Sequence, residues 1–252
     1  MKCRDLLMPG LLLVLLVVVA LPGCGSNPET QPAPPQTAAV SISPVVPEEL
    51  QINLSACFDE MPGVYPILNP SYSLYPDPDQ SDVLLWWGDP GRYQALQAGD
   101  HMIFKVMDAE VRVLVHPQNP LAVISPSELR DVFAGTIEDW SDLTEQPPES
   151  KIVVWVLPGE HPAQDLFERA VMQGVPVTNT ARIAPDLSSA GEAVQKDQAA
   201  IGLSVMDATP EGKILAVQPP VEALRQPVLL IYPEPAPDYA ADLVSCLSPD
   251  RD

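Results

Sequence analysis

Past residue 21, this 252-residue chain has no apolar run approaching the roughly 20 residues that a membrane-spanning helix requires. Histidine is scarce: His101, His116 and His161 are the only three, and no metal-ligand spacing links them, which leaves a zinc site without support. There is no Gly-x-Ser-x-Gly elbow, no phosphate-cradling Walker loop and no nucleophile paired with a base, so neither catalytic residues nor a cofactor are expected. Positive charge is equally thin, 13 Lys and Arg against 34 Asp and Glu. That balance argues against nucleic acid or an anionic membrane face as a partner, because both are held through basic patches. No internal repeat is visible.

What is present begins at the N-terminus. Lys2 and Arg4 form a positive start, and residues 11–21 are an unbroken apolar run of the length of a signal-peptide core. Leu21-Pro22-Gly23-Cys24 then resembles a lipobox, with Pro22 where a small residue is usual. Residues 1–23 are therefore expected to be a lipoprotein signal peptide and Cys24 the lipidated first residue of an extracytoplasmic, membrane-anchored protein; the alternative is an ordinary cleavable signal with an incidental Cys24. Several acyl chains on one residue would hold the protein at the membrane without a spanning helix. Residues 24–47, with Pro28, Pro32, Pro34, Pro35, Pro44 and Pro47 among Ser, Thr, Gln and Ala, read as a disordered, semi-rigid tether. The folded body is then residues 48–252. Removing Lys2, Arg4 and Asp5 with the signal leaves 11 basic and 33 acidic residues, a net charge of −22.

Four cysteines reduce to one pair. Cys3 leaves with the signal and Cys24 is acylated, so Cys57 and Cys246 remain in a compartment where disulfides persist. A bridge between them would staple the two ends of the body; two buried thiols are the alternative.

The body alternates helical and extended signals. Residues 50–56 alternate apolar and polar, the pattern of a half-buried strand, and residues 61–81 form a loop rich in Pro, Tyr and Asp. Strands are expected at 82–87, 110–116, 151–157, 200–205, 213–217 and 228–232. Ser125-Pro126-Ser127-Glu128 has capping-box spacing, ahead of the apolar face Leu129, Val132 and Phe133 and the stop Gly135. Pro162 opens a second helix that buries Leu166, Phe167, Ala170 and Val171. Ser189-Ala190-Gly191-Glu192 repeats the capping-box spacing before a third, and residues 238–247 read as a terminal helix. Alternation of this kind indicates an α/β fold.

Val113-Leu114-Val115-His116-Pro117-Gln118-Asn119-Pro120, then Leu129-Arg130-Asp131-Val132-Phe133-Ala134-Gly135 with Ile137 and Trp140, and finally Ala200-Ile201-Gly202-Leu203, together resemble the phosphate-binding-protein-like family of bacterial solute-binding lipoproteins, which have the type II periplasmic-binding fold. The resemblance covers roughly residues 82–205. It implies a two-lobe, periplasmic-binding-protein-like α/β fold with a shortened first lobe: lobe one at 48–115 and 206–252, lobe two at 116–205, crossing strands at 111–116 and 200–205, and ligand between the lobes. Both Cys57 and Cys246 would fall in lobe one. Family members that hold phosphate carry an Arg and then Ser-Gly-Thr where this chain has Leu157 and His161-Pro162-Ala163. A weakly charged or neutral ligand is therefore expected rather than free phosphate.

Trp86 and Trp87 are adjacent on a strand, so their side chains face opposite ways and at most one can line a cleft. In open α/β sheets ligands gather beyond the carboxyl ends of strands. The candidate ligand site therefore comprises Trp87, Gly88 and Asp89 after one strand, and Glu160, His161 and Gln164 after another. Asp89 could equally form the turn, and His161 could equally be the cap of the second helix. The expected function is a non-enzymatic module that binds a small solute for an ABC transporter permease or a sensor; a degenerate envelope scaffold of the same fold, without a ligand, is the alternative.

Overall fold

The computed structural model describes residues 35–71, 73–148, 151–205 and 212–247. The expected signal peptide, Cys24 and residues 25–34 of the expected tether lie outside the described residues.

The fold begins earlier than the tether reading allows. Strand β1 (Gln36–Ile42) buries Ala38, Val40 and Ile42 on alternate positions. It pairs in parallel with both β2 (Val64–Pro70) and β3 (Val83–Trp87), so it is an internal strand of the sheet. Residues 36–42 therefore belong to the body, whose compact unit runs from 35 to 252 rather than from 48. Residues 50–56 are not a strand either. They lie within helix α1 (Glu48–Asp59), which buries Leu50, Leu54, Cys57 and Phe58 and leaves Ile52 61 % exposed. Over twelve residues the helical spacing of the buried set prevails over the short alternation. The first lobe thus opens as a β-α-β unit. What stays short is the stretch from β2 to β3, with a single 3₁₀ turn at Pro78–Gln80.

After β3, a 3₁₀ turn at Pro90–Arg92 and a short helix α2 (Gln94–Ala98) lead into strand β4 (His101–Val115). This 15-residue strand begins well before the expected residue 110. It runs through both lobes. Lobe two then supplies β5 (Val123–Ile124), α3 (Pro126–Ala134), β6 (Val153–Val156), α4 (Pro162–Phe167), β7 (Arg182–Ile183), α5 (Leu187–Lys196), β8 (Ala200–Val205) and β9 (Lys213–Val217). β10 (Arg225–Pro233) and α6 (Ala240–Leu247) complete lobe one. The main path of the sheet is β2-β1-β3-β10-β4-β8-β6-β7.

Register locates the crossings. The first part of β4 pairs antiparallel with β10, from Arg225 opposite Glu110 to Pro233 opposite His101. Its last residues pair with β8 and also with β9. β9 pairs in turn with β5 of lobe two. β8, expected as the return crossing, lies antiparallel beside Val111–Val115 of β4, the expected first crossing.

Local signals govern α3. Ser125 Oγ accepts from Glu128 N–H at 3.2 Å while Glu128 Oε2 accepts from Ser125 N–H at 2.9 Å, and Gly135 ends the helix at φ 76°. α5 starts two residues before the expected cap. Asp186, not Ser189, is its N-cap, its carboxylate accepting from Ser189 N–H at 2.7 Å. The family-like residues Leu129, Val132, Phe133 and Trp140 are all buried, with Phe133 and Phe167 rings 4.5 Å apart and Trp140 Nε1 donating to Ala199 O. They form the core of lobe two. In lobe one, Cys57 of α1 and Cys246 of α6 are joined by a disulfide. Among the described residues no helix is long and apolar enough to cross a membrane.

Candidate functional site

β3 is buried along its whole length, and its two tryptophans point to opposite faces. Trp87 enters the main core and donates Nε1–H to Ala109 O. Trp86 joins a smaller cluster with Leu84, Tyr93 and Leu96, and donates Nε1–H to Leu74 O at 3.0 Å. Both rings are 2 % exposed, so each is chiefly a packing residue. Trp86 stacks obliquely on Tyr93 at 4.9 Å, with the half-exposed Tyr75 ring 6.2 Å from Trp86 and 5.4 Å from Tyr93.

Gly88 follows because nothing larger fits. At φ 151° a Cβ would stand 2.6 Å from the Trp86 ring, in a backbone region that glycine alone tolerates well. Gly88 N–H donates to Pro227 O, which ties the strand end to β10. Asp89 then caps the 3₁₀ turn by accepting from Gly91 N–H at 2.8 Å. Asp89 thus has the turn-forming role expected of it.

Across from this turn lies α4 of lobe two. His161 is its N-cap, with Nδ1 accepting from Ala163 N–H at 3.2 Å. Burial pushes the imidazole down to about 4, against the opposing pull of the Asp186 carboxylate. Gln164 is 1 % exposed and bridges two segments. Its Oε1 accepts from Leu157 N–H at 3.0 Å and its Nε2 donates to Glu168 Oε1 at 2.8 Å. These contacts close the start of α4 on itself. Pro162 has no N–H, Ala163 gives its own to His161, and the N–H of Leu157 goes to Gln164. Glu160 is exposed before the helix.

Between the two segments is a cavity of about 300 Å³. Lobe one lines it with Leu74, Tyr75, residues 86–89 and Arg92, joined by Ala223 and Gln226. From lobe two come Pro162, Asp165, Leu166, Arg169 and Ala170. Trp87, Gly88 and Asp89 are thus in its wall, whereas Glu160, His161 and Gln164 are not. The helical spacing of the lobe-two set explains why: positions i, i+3, i+4, i+7 and i+8 make one flank, and the cavity meets that flank rather than the helix start. After Phe167 the flank continues in a π turn, Glu168–Met172.

Charges in the wall balance. Arg169 holds Asp165 with Nε at 2.9 Å and a terminal guanidinium nitrogen at 2.7 Å. Asp89 and Arg92 are exposed and make no ion pair among the described residues. Arg92, Asp165 and Arg169 escaped the sequence reading. Arg92 was legible as a cation three residues beyond Asp89 in the same strand-end turn, but the flank of α4 that meets lobe one depends on how the lobes pack. Among the described residues no cluster of His, Cys, Asp or Glu is suited to a metal ion.

The family described as PBP superfamily domain matches residues 92–218, half of the chain. No curated protein matches. Among solved structures, the chain is similar to a Clostridium perfringens protein described as a phosphate ABC transporter substrate-binding protein and solved with bound phosphate: TM-score 0.71, 16 % identity, 84 % of this chain and 93 % of that one. An ABC-type phosphate transport receptor from Vibrio cholerae aligns at TM-score 0.63 and 15 % identity over 83 % and 93 %. The reduced OxyR regulatory domain from Pseudomonas aeruginosa aligns at TM-score 0.58 and 13 % identity over 84 % and 97 %. At such identities the likeness concerns the fold.

Proposed function

The chain belongs to the PBP superfamily, and from that premise we propose that it is a membrane-tethered extracytoplasmic module that binds a small solute between its two lobes for a transporter or a sensor. The observation that carries this reading is the cavity itself. Its volume of about 300 Å³ is at the small end of ligand pockets, both lobes contribute walls, and a ring face lies beside charged groups of each sign. The similar structures are described as substrate-binding, receptor and regulatory proteins, which supports a binding role rather than an enzymatic one. The tether rests on the signal-like residues 1–23 and on Cys24. Transport and sensing are both compatible with the fold, since the similar structures include proteins described as transport receptors and a regulatory domain.

A thermal-shift screen against oxyanions, metal ions, sugars and amino acids tests the reading. A solute present at 100 times its Kd adds about 2.7 kcal/mol of stability. One observation favours a second reading, a scaffold that no longer binds a solute: the start of α4 is occupied by its own His161 and Gln164 contacts. On that reading no compound raises the melting temperature.

A further inference from the structure

Resting on the solute-binding reading above, we infer that the cleft takes a small zwitterionic solute of the free amino-acid type, with its carboxylate on Arg92 and its ammonium group on Asp89. The lobe-two wall is electrically complete, because Asp165 and Arg169 neutralise each other within one helix turn. The lobe-one wall is not: Asp89 and Arg92 both face the cavity and neither has an ion-pair partner among the described residues. An inorganic anion would satisfy Arg92 and be repelled by Asp89; a simple cation would meet the reverse. A neutral sugar would leave both charges unmatched as the lobes closed and water withdrew, which is costly. A dipolar solute satisfies both at once, through charge-assisted hydrogen bonds that are the stronger kind. Tyr75, half-exposed against Trp86, offers a ring face to the solute's side chain. The strongly acidic chain also disfavours capture of a net anion.

The test is thermal shift followed by titration calorimetry on the purified full chain. The probes are the free L-amino acids, their N-acetyl and amide derivatives, inorganic phosphate and simple sugars. The expected result is stabilisation by at least one free amino acid, with binding about tenfold weaker or worse when either end of the probe is blocked. Asp89→Asn keeps the acceptor for Gly91 N–H and so the turn, and it is expected to weaken the free amino acid but not its N-acetyl form. Arg92→Gln is expected to do the converse with the amide. Stabilisation by phosphate or a sugar alone overturns this inference and leaves the solute-binding reading standing. No stabilisation by any probe overturns both. Equal binding of free and blocked probes, or no change in the two variants, overturns the assignment of Asp89 and Arg92.

Discussion

Acidification from pH 7 to 4.5 is expected to destabilise the protein through His161. Its Nδ1 can accept the Ala163 N–H only while unprotonated, and burial holds the folded pKa near 4 against 6.5 for an unperturbed imidazole. Above pH 6.5 neither the folded nor the unfolded state carries the proton, so the group costs nothing there. Between 6.5 and 4 the unfolded chain takes up the proton and the folded chain does not, so stability falls as pH falls, by up to about 1.4 kcal/mol per pH unit; below the folded pKa the loss levels off. Residual solvent around the ring moderates this, and a loss of about 2 kcal/mol at pH 4.5 is the working figure. For a body of roughly 200 residues that corresponds to a fall in Tm of about 4–8 °C. The Asp186 carboxylate beside it is itself held below its usual range by hydrogen bonds from Ser189, so it stays ionised through the window. The assay is thermal unfolding of wild type and His161→Asn at pH 7, 5.5 and 4.5. Asparagine supplies the cap acceptor without titrating in this range, so the variant is expected to lose about 2 kcal/mol less than wild type across the window. Parallel pH profiles for the two proteins would refute the reasoning.

The Cys57–Cys246 bridge closes a loop of 189 residues in sequence separation, for which chain entropy assigns roughly 5 kcal/mol. Urea unfolding of Cys57→Ser/Cys246→Ser beside wild type checks it, and mass spectrometry finding both thiols free in exported protein would remove the premise. Gly88→Ala is expected to cost about 1–3 kcal/mol because its Cβ meets the Trp86 ring; an unchanged denaturation midpoint would contradict the packing described. Cys24→Ala is expected to release the protein from membranes or block signal removal. Unchanged membrane fractionation and mature size would end the lipoprotein proposal.

Elements set by neighbouring residues were legible in the sequence, and elements set by distant pairing were not. α3 carries its own start and stop in Ser125, Glu128 and Gly135, and residues 129–140 with the segments at 113–120 and 200–203 together suggest the family. β1 was hidden because Pro28 to Pro47 dominate the local composition, while the burial of Ala38 and Val40 comes from β2 and β3, 28 and 43 residues away in register. α1 was misread because Leu50, Ile52 and Leu54 alternate by chance, whereas Cys57 and Phe58 complete a helical face. Asp89 could be placed in the turn that caps a strand end, from its position after that strand. His161 could be read as a cap from Pro162 after it. Which flank of α4 would face that turn depends on the packing of two lobes, and no local pattern encodes it.

If a solute sits in the cavity between the lobes, filling that cavity should exclude it. Ala223 is exposed and stands in the cavity wall, so Ala223→Trp should occupy the space without disturbing the core. Calorimetric titration of wild type and this variant with whichever solute stabilises wild type is the measurement. Binding to wild type, at least about tenfold weaker binding to the variant, and the same Tm for both proteins without solute are expected. Undiminished binding to the variant would place the solute outside this cavity.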